Sequence, residues 1–351
     1  MNAMDIDPTD IAGLSRAADA GDGAAALRLA VLCGLGLGRP QDWSEALSRL
    51  DQAAATGDRD AVFQKTLLAP AGGAVDLTAW LTPPPWTVVS ERPHVLSLSG
   101  FVSPALCDHL IDLARPRLAR AQVYDPTTGR GRVASHRSNS AFAFNLETTD
   151  LVLVLLRERI ARTAGLPVTG LEPSQVLRYG VGETFDWHVD WLDPAIPGQA
   201  SDLAARGQRI ATLLLYLNDD FEGGETAFES GGLRHRARRG DALMWANTLP
   251  QGGVDRSTRH AGLPPTRGEK WVLSQWMRPA PPRATEGSGA VLAKSGLKRA
   301  WEGLSHGLDS NFDPKRDTAH RARGLAGCPA VHRGVADHPA PFPGGRPPSA
   351  G

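Results

Sequence analysis

The sequence predicts an α+β chain whose central part is a β-sandwich or jelly roll buttressed by helices. A small all-α segment precedes it and a disordered tail follows. Three observations carry this. Residues 11–69 are rich in Ala and Leu and repeat a short phrase; residues 175–277 break into short β-type runs punctuated by Gly, Asn-Asp and Pro; and the 71 residues from Pro281 to Gly351 contain nine Pro and eleven Gly. Helices first and many short strands afterwards point to an α+β architecture, and a Pro/Gly content that high leaves too little material for a packed core.

In chain order, Ala17-Ala18-Asp19-Ala20-Gly21-Asp22 returns as Ala53-Ala54-Ala55-Thr56-Gly57-Asp58, a spacing of 36 residues. That is near the roughly 34-residue period of a helix–turn–helix repeat, in which small residues let paired helices approach and Gly ends a helix. Residues 1–80 are therefore read as a helical segment that looks like one to two tetratricopeptide-related, Sel-like repeats. Two units are fewer than the roughly three a free-standing solenoid needs, so the segment is expected to pack on its neighbour. Pro83-Pro84-Pro85 closes a Gly/Pro-containing stretch, composition shifts toward Val, Trp, Phe and Thr, and a second domain is placed at 86–280. Within it His94–Leu98 alternates like a strand, Ser103-Pro104 supplies an N-cap and N1 proline for a helix, and Leu151–Thr163 reads as a second helix. Strand-like runs follow at Val176–Tyr179, Ile210–Leu217, Thr226–Phe228, Ala242–Trp245 and Lys270–Met277. The tail is residues 281–351.

Lys+Arg and Asp+Glu each number 38, so no global field draws the chain to nucleic acid or an anionic membrane. The three cysteines, Cys33, Cys107 and Cys328, are odd in number, widely spaced and in no CxxC pattern, which excludes a disulfide framework or a structural zinc site and suits a reducing compartment. The start is acidic and lacks an apolar leader, and the strongest apolar run, Leu151–Leu156, is far short of a span. The expectation is a cytoplasmic protein without membrane or nucleic-acid partners. The basic cluster Arg234-His235-Arg236-Ala237-Arg238-Arg239 has no interleaved aromatic platform and is read as a solvated loop that steers acidic substrates at most.

The chemistry-bearing signal starts at His188-Val189-Asp190. In an extended segment residues i and i+2 face the same way, roughly 7 Å apart at Cα, so both side chains can converge on one metal. Alone, HxD is common. Downstream, however, lie His260, in Ser257-Thr258-Arg259-His260, and Lys270, in Gly268-Glu269-Lys270-Trp271. Two imidazoles and one carboxylate on a β scaffold form a facial triad for Fe(II) that leaves three coordination positions open, two for a bidentate 2-oxo acid and one for dioxygen. Lys270 shares a strand face with Val272, Ser274 and Trp276. If that face is interior, its ammonium needs an anion, which the distal carboxylate of a 2-oxo acid would supply.

Across residues 94–278 the sequence resembles the prolyl 4-hydroxylase group of Fe(II)/2-oxoglutarate-dependent dioxygenases, with a double-stranded β-helix (jelly-roll) core. The resemblance runs through Phe101-Val102-Ser103-Pro104, Cys107-Asp108-His109-Leu110, Val176-Leu177-Arg178-Tyr179-Gly180, His188-x-Asp190, Arg209–Asp219, Gly223-Gly224-Glu225-Thr226, Gly240-Asp241-Ala242-Leu243, His260-Ala261-Gly262 and Gly268-Glu269-Lys270-Trp271. At Arg137 it is imperfect, with Asn139 where the family often has serine, and no role is transferred there. The resemblance implies that His188, Asp190 and His260 bind iron, that Lys270 holds the distal carboxylate of 2-oxoglutarate, and that Tyr179 adds a phenolic hydrogen bond. Thr226 and Trp276 are further pocket residues, and Arg209 opens a strand facing the substrate side. Halogenating relatives lack an acid at the position of Asp190; its presence implies hydroxylation.

The implied activity consumes 2-oxoglutarate and O2, with ascorbate as an optional accessory reductant, releases succinate and CO2, and hydroxylates a C–H bond, foremost of a prolyl residue in a peptide or protein that the helical repeat would recruit. A non-prolyl amino acid or small molecule is the rival substrate class. A binding protein with a silent β-domain is the rival function, but it would have no chemical need for all four ligand-type side chains. Loops 193–206 and 124–140 are expected to set specificity, and nothing in the sequence specifies an oligomeric state.

Overall fold

A computed structural model describes residues 10–124, 131–132 and 136–279. The tail expected from residue 281 onward, Cys328 within it, and part of the 124–140 loop lie outside the described residues.

The chain opens with four helices, Ile11–Asp19, Gly23–Leu35, Trp43–Ala55 and Arg59–Leu68, and a short fifth, Leu77–Leu81. Each begins at an aspartate, and the carboxylates of Asp10, Asp22, Asp42, Asp58 and Asp76 accept the amides of Gly13, Ala25, Glu45, Ala61 and Ala79, satisfying donors that a helix start leaves unpaired. The recurring phrase marks the same structural position twice. Gly21 (φ 95°) and Gly57 (φ 85°) each turn the chain between two helices, and the aspartate that follows caps the next one. Fully buried Ala25, Ala26, Ala30, Ala46, Ala53 and Ala61 give these helices their close approach.

Their apolar faces join Leu151–Thr163 in one continuous core. Gln64 Oε1 accepts the Leu151 amide (3.1 Å). About two turns along the same helix, Arg159 donates to the carbonyls of Trp80, Thr82 and Phe101 at 2.6, 3.1 and 3.0 Å. The helical segment therefore packs on its neighbour. All described residues belong to one compact unit. Among them no helix is long and apolar enough to cross a membrane.

The rest is built on two main antiparallel sheets, with two further strand pairs, Glu222–Gly223 with Pro265–Arg267 and Val123–Tyr124 with Gly131–Arg132. The large one runs Trp86–Glu91, His94–Leu98, Ala242–Ala246, Ala211–Tyr216, Lys270–Met277, Gln175–Tyr179, Ser140–Ala143, Ala119–Arg120; the small one runs Arg234–His235, Thr226–Phe228, His260–Gly262, Phe185–His188. Period-2 alternation divides the large sheet cleanly. Leu213, Leu215, Met244, Leu273 and Met277 face the helical core, including Pro104–Ala114 and Leu151–Thr163. Leu177, Tyr179, Tyr216, Leu243, Trp245 and Val272 share a second cluster with Phe228 of the small sheet. This is a jelly-roll sandwich, and the functional residues lie between its sheets. The helix at Pro104–Ala114 has Pro104 at N1 and Ser103 Oγ accepting the Leu106 amide.

One expectation needs correction. Residues 193–206, expected as loop, contain the helix Pro197–Arg206. It begins on Ile196 with no side-chain cap and buries none of its residues, so Pro197 at N1 was its one start signal and no apolar stripe supported it.

Candidate active site

Strand Phe185–His188 lies antiparallel to His260–Gly262, and the register sets His188 directly opposite His260. Asp190, two residues on, turns its carboxylate to both rings: Oδ1 is 3.8 Å from His188 Nε2 and Oδ2 is 3.6 Å from His260 Nε2. One ligand atom from each residue lies within 4.8 Å of the others, and among the described residues this is the single such group of His, Cys, Asp and Glu. The sequence separation of His260 from the HxD pair is closed by one cross-strand pairing.

Both rings are held with Nε2 inward. His188 Nδ1 lies 2.7 Å from the Asp186 carbonyl and His260 Nδ1 2.9 Å from that of Thr258; a carbonyl only accepts, so each Nδ1 carries the proton and each Nε2 presents a lone pair. Phe185 stacks on His188 (centroids 3.5 Å), and Trp245 meets His260 edge-on at 4.8 Å. Burial, then the neighbouring His260, push the His188 pKa down to about 3, keeping it a neutral ligand-type imidazole. For Asp190 burial acts upward, but His260, His188 and the Thr212 hydroxyl outweigh it and hold the carboxyl below its ordinary range. Two imidazoles turned Nε2-inward and an ionised carboxylate, mutually close and pointed at one space, fit a divalent transition metal such as Fe(II).

Lys270 stands opposite Tyr179 on the neighbouring strand. It is 1 % exposed, and among the described residues no carboxylate pairs with it. Its Nζ donates to Thr226 Oγ1 at 3.4 Å and sits 5.3 and 5.6 Å from the Tyr179 and Tyr216 rings. Thr226 Oγ1 also bonds the Tyr216 hydroxyl at 2.7 Å. Burial pulls the Lys270 pKa down to about 7, with Glu225 acting weakly the other way. Such a cation calls for an anion. The cavity around it is lined by His188, Asp190, His260, Tyr179, Thr226 and Lys270 together, so metal ligands and ammonium open onto one space. Lys270, Val272, Ser274 and Trp276 all line it, which puts that strand face in the interior.

Tyr179 is buried, and burial raises its hydroxyl pKa to about 12, leaving it a neutral donor. A β-carbon at Gly262 would sit 3.2 Å from its hydroxyl oxygen, so glycine there leaves the ring its place. Trp276 lines the cavity, and its outer face carries the Arg209 guanidinium at 3.6 Å. Arg209 stands beside the cavity with its charge committed: Nε and Nη2 grip both oxygens of Glu172 at 2.7 and 3.0 Å, and Nη1 reaches the Asp190 carbonyl at 3.5 Å.

Arg137, to which no role was carried over, lines the cavity, and two supporting residues, Thr212 and Asn247, were not singled out from sequence. Arg137 is buried in the cavity wall, 4.4 Å from the Phe185 ring, with Nη1 on the Gln122 carbonyl (3.0 Å). Thr212 donates its hydroxyl to Asp190 Oδ2 (2.7 Å) and Asn247 Nδ2 donates to Thr212 (2.9 Å). Extending to Ala211–Tyr216 the alternation used for Lys270–Met277 would have put Thr212 on the inner face; Asn247 follows a strand end and has no such signal.

Residues 174–278 match the model of the 2OG-Fe(II) oxygenase superfamily. The chain is 37 % identical over 188 residues to prolyl 4-hydroxylase subunit alpha-1 of Rattus norvegicus, covering 53 % of this chain and 35 % of that one. From Arabidopsis thaliana, prolyl 4-hydroxylase 1 is 33 % identical over 205 residues (54 % of this chain, 71 % of that one), and probable prolyl 4-hydroxylase 9 is 31 % identical over 211 residues (55 % and 72 %). The chain thus spans about a third of the vertebrate subunits it matches and most of the plant proteins. With this similarity covering the metal triad and Lys270, the chain belongs to the prolyl 4-hydroxylase family of 2OG-Fe(II) oxygenases.

Proposed function

We propose that the chain is an Fe(II)- and 2-oxoglutarate-dependent dioxygenase that hydroxylates a prolyl residue in a peptide or protein, with release of succinate and CO2. The observation that carries the reading is the unpaired ammonium of Lys270, buried in the same cavity as the His188–Asp190–His260 triad. The relatives named prolyl 4-hydroxylase support the substrate class. When bound, the iron supplies the oxidative chemistry, driven by decarboxylation of 2-oxoglutarate.

The protein's part is placement. His188, Asp190 and His260 would hold the metal from one side, leaving the positions toward the cavity open. Lys270 and Thr226 would bind the distal carboxylate of 2-oxoglutarate, and the Tyr179 hydroxyl would donate to the same molecule. Apolar walls, Leu177, Phe185, Leu214, Val272 and Trp245, keep water from this space. Arg137 and Trp276 form the wall beyond the triad where a substrate chain would lie.

The test is anaerobic reconstitution with Fe(II) and 2-oxoglutarate, followed by oxygen and a proline-rich peptide. Expected are a visible charge-transfer absorption before oxygen, then succinate equivalent to the oxygen atoms gained by prolyl residues in mass spectra. His188→Ala and His260→Ala should abolish both. Succinate coupled to oxidation of another residue or a free amino acid would move the assignment to that substrate, and absence of both signals from the wild type would refute the enzyme.

A further inference from the structure

Thr212 and Asn247 lie outside any ligand set, yet both are buried against it, at 1 % and 0 % exposure. The order of their hydrogen bonds is fixed by chemistry. Thr212 Oγ1 lies 2.7 Å from Asp190 Oδ2, and its single hydroxyl hydrogen points at that oxygen. Thr212 Oγ1 can then only accept from its other side, so Asn247 must turn its amide nitrogen toward it (2.9 Å). That turn directs Asn247 Oδ1 away from Thr212. The backbone of Asn247 is pinned as well, its amide on the Ile210 carbonyl and its carbonyl on the Asp255 amide.

We propose that Asn247 and Thr212 are positioning residues which, by occupying Oδ2 of Asp190, make that carboxylate a one-oxygen metal ligand. The inference rests on the metal-centre reading above. A carboxylate free to swing can chelate through both oxygens and take a further coordination position; a hydrogen bond on the second oxygen holds the group from swinging and draws electron density from that oxygen, which favours one-oxygen binding and leaves three positions for cosubstrate and oxygen. Both oxygens face the triad, Oδ1 3.8 Å from His188 Nε2 and Oδ2 3.6 Å from His260 Nε2, and the Thr212 hydroxyl on Oδ2 is what makes Oδ1 the better donor.

The test uses the full chain and Co(II), whose visible absorption intensity reports coordination number, in wild type, Thr212→Val, Thr212→Ser, Asn247→Leu and the Val/Leu double variant. Thr212→Val keeps the volume and removes the hydroxyl; it should weaken Co(II) binding about 10–100-fold and change the absorption intensity. Thr212→Ser should restore the wild-type spectrum and most of the affinity. Asn247→Leu should weaken binding less, about threefold, since Thr212 can still donate. Folding and positioning separate in the double variant. Removing both partners relieves the unpaired amide that Thr212→Val leaves, so the double should melt above Thr212→Val while binding Co(II) no more tightly. Thr212→Val with wild-type affinity and spectrum would overturn the proposal, as would a double variant whose Co(II) affinity recovered along with its melting temperature. A wild type that bound no Co(II) would instead overturn the metal centre itself.

Discussion

Replacing Lys270 with Met separates what the lysine costs from what it does. Its pKa falls from an ordinary 10.5 to about 7 because it is buried without a carboxylate. At about 1.4 kcal/mol for each tenfold step in proton affinity, that gap sets a ceiling of about 5 kcal/mol on the stability lost by burying it. Contacts with Thr226 and the Tyr179 and Tyr216 rings offset part of this, and a net penalty of about 1–3 kcal/mol is expected. Met has similar length and no charge, so Lys270→Met should raise the melting temperature of the metal-free protein at pH 7 by about 3–10 °C. The pH dependence has a definite sign. Between about pH 7 and 10.5 the unfolded chain keeps a proton the folded one has lost, so the stability of the wild type climbs through that window relative to the variant. The difference should be full below pH 7 and shrink steadily as pH rises toward 10.5. With Co(II) in place of iron and no oxygen, 2-oxoglutarate should stabilise the wild type and leave the variant unmoved. Differential scanning calorimetry from pH 6 to 10 reads both effects. A variant less stable than wild type at pH 7, with a gap that does not change with pH, would refute the unpaired ammonium; undiminished 2-oxoglutarate binding would refute its role as anchor.

The same protonation should appear in binding: since Lys270 must be charged to hold a carboxylate, 2-oxoglutarate affinity should fall up to about tenfold per pH unit above about pH 7, with proton uptake measurable by calorimetry in two buffers of different ionisation enthalpy. Gly262→Ala brings a β-carbon to 3.2 Å from the Tyr179 hydroxyl and 3.3 Å from its ring; it should weaken 2-oxoglutarate binding about tenfold, and less in a Tyr179→Phe background, where the closest atom is gone. Arg159→Met strips the charged donor from the Trp80, Thr82 and Phe101 carbonyls; it should cost about 1.5–3 kcal/mol of stability in denaturant unfolding while Co(II) affinity stays as in wild type.

What could be read from sequence, and what could not, divides along physical lines. Strand alternation is local and rigid, so placing Lys270, Val272, Ser274 and Trp276 on one face needed only the period of the strand, and all four line the cavity. The aspartate caps and the Ser103-Pro104 helix start are equally local. His260 is a different matter. Nothing in Ser257–Gly262 fixes its distance from His188; that is decided by pairing two strands of three and four residues, too short to carry an alternation signal of their own. There the likeness to a family stood in for geometry that residue patterns do not encode.

Arg209 and the Asn247–Thr212 pair show why polar residues are the hardest to read. An arginine opening a strand can serve a substrate or balance a buried acid, and the choice depends on a partner 37 positions away, Glu172, which Arg278 also grips. With two guanidiniums on one carboxylate, Glu172 is held below its ordinary pKa despite a burial that acts the other way. Arg209 is thereby fixed at one edge against the Asp190 carbonyl and at its face against Trp276. Asn247 and Thr212 fix the same aspartate from the side chain. Asp190 is therefore clamped at backbone and carboxylate by Arg209 and Thr212 of one other segment, which Glu172 and Asn247 hold in turn, whereas His188 and His260 are each oriented by a carbonyl two residues earlier in their own segment. The asymmetry follows from the ligands. An imidazole offers the metal one atom once its other nitrogen is bonded, and a nearby carbonyl suffices. A carboxylate offers two equivalent atoms, and only groups brought from elsewhere in the fold can make them different.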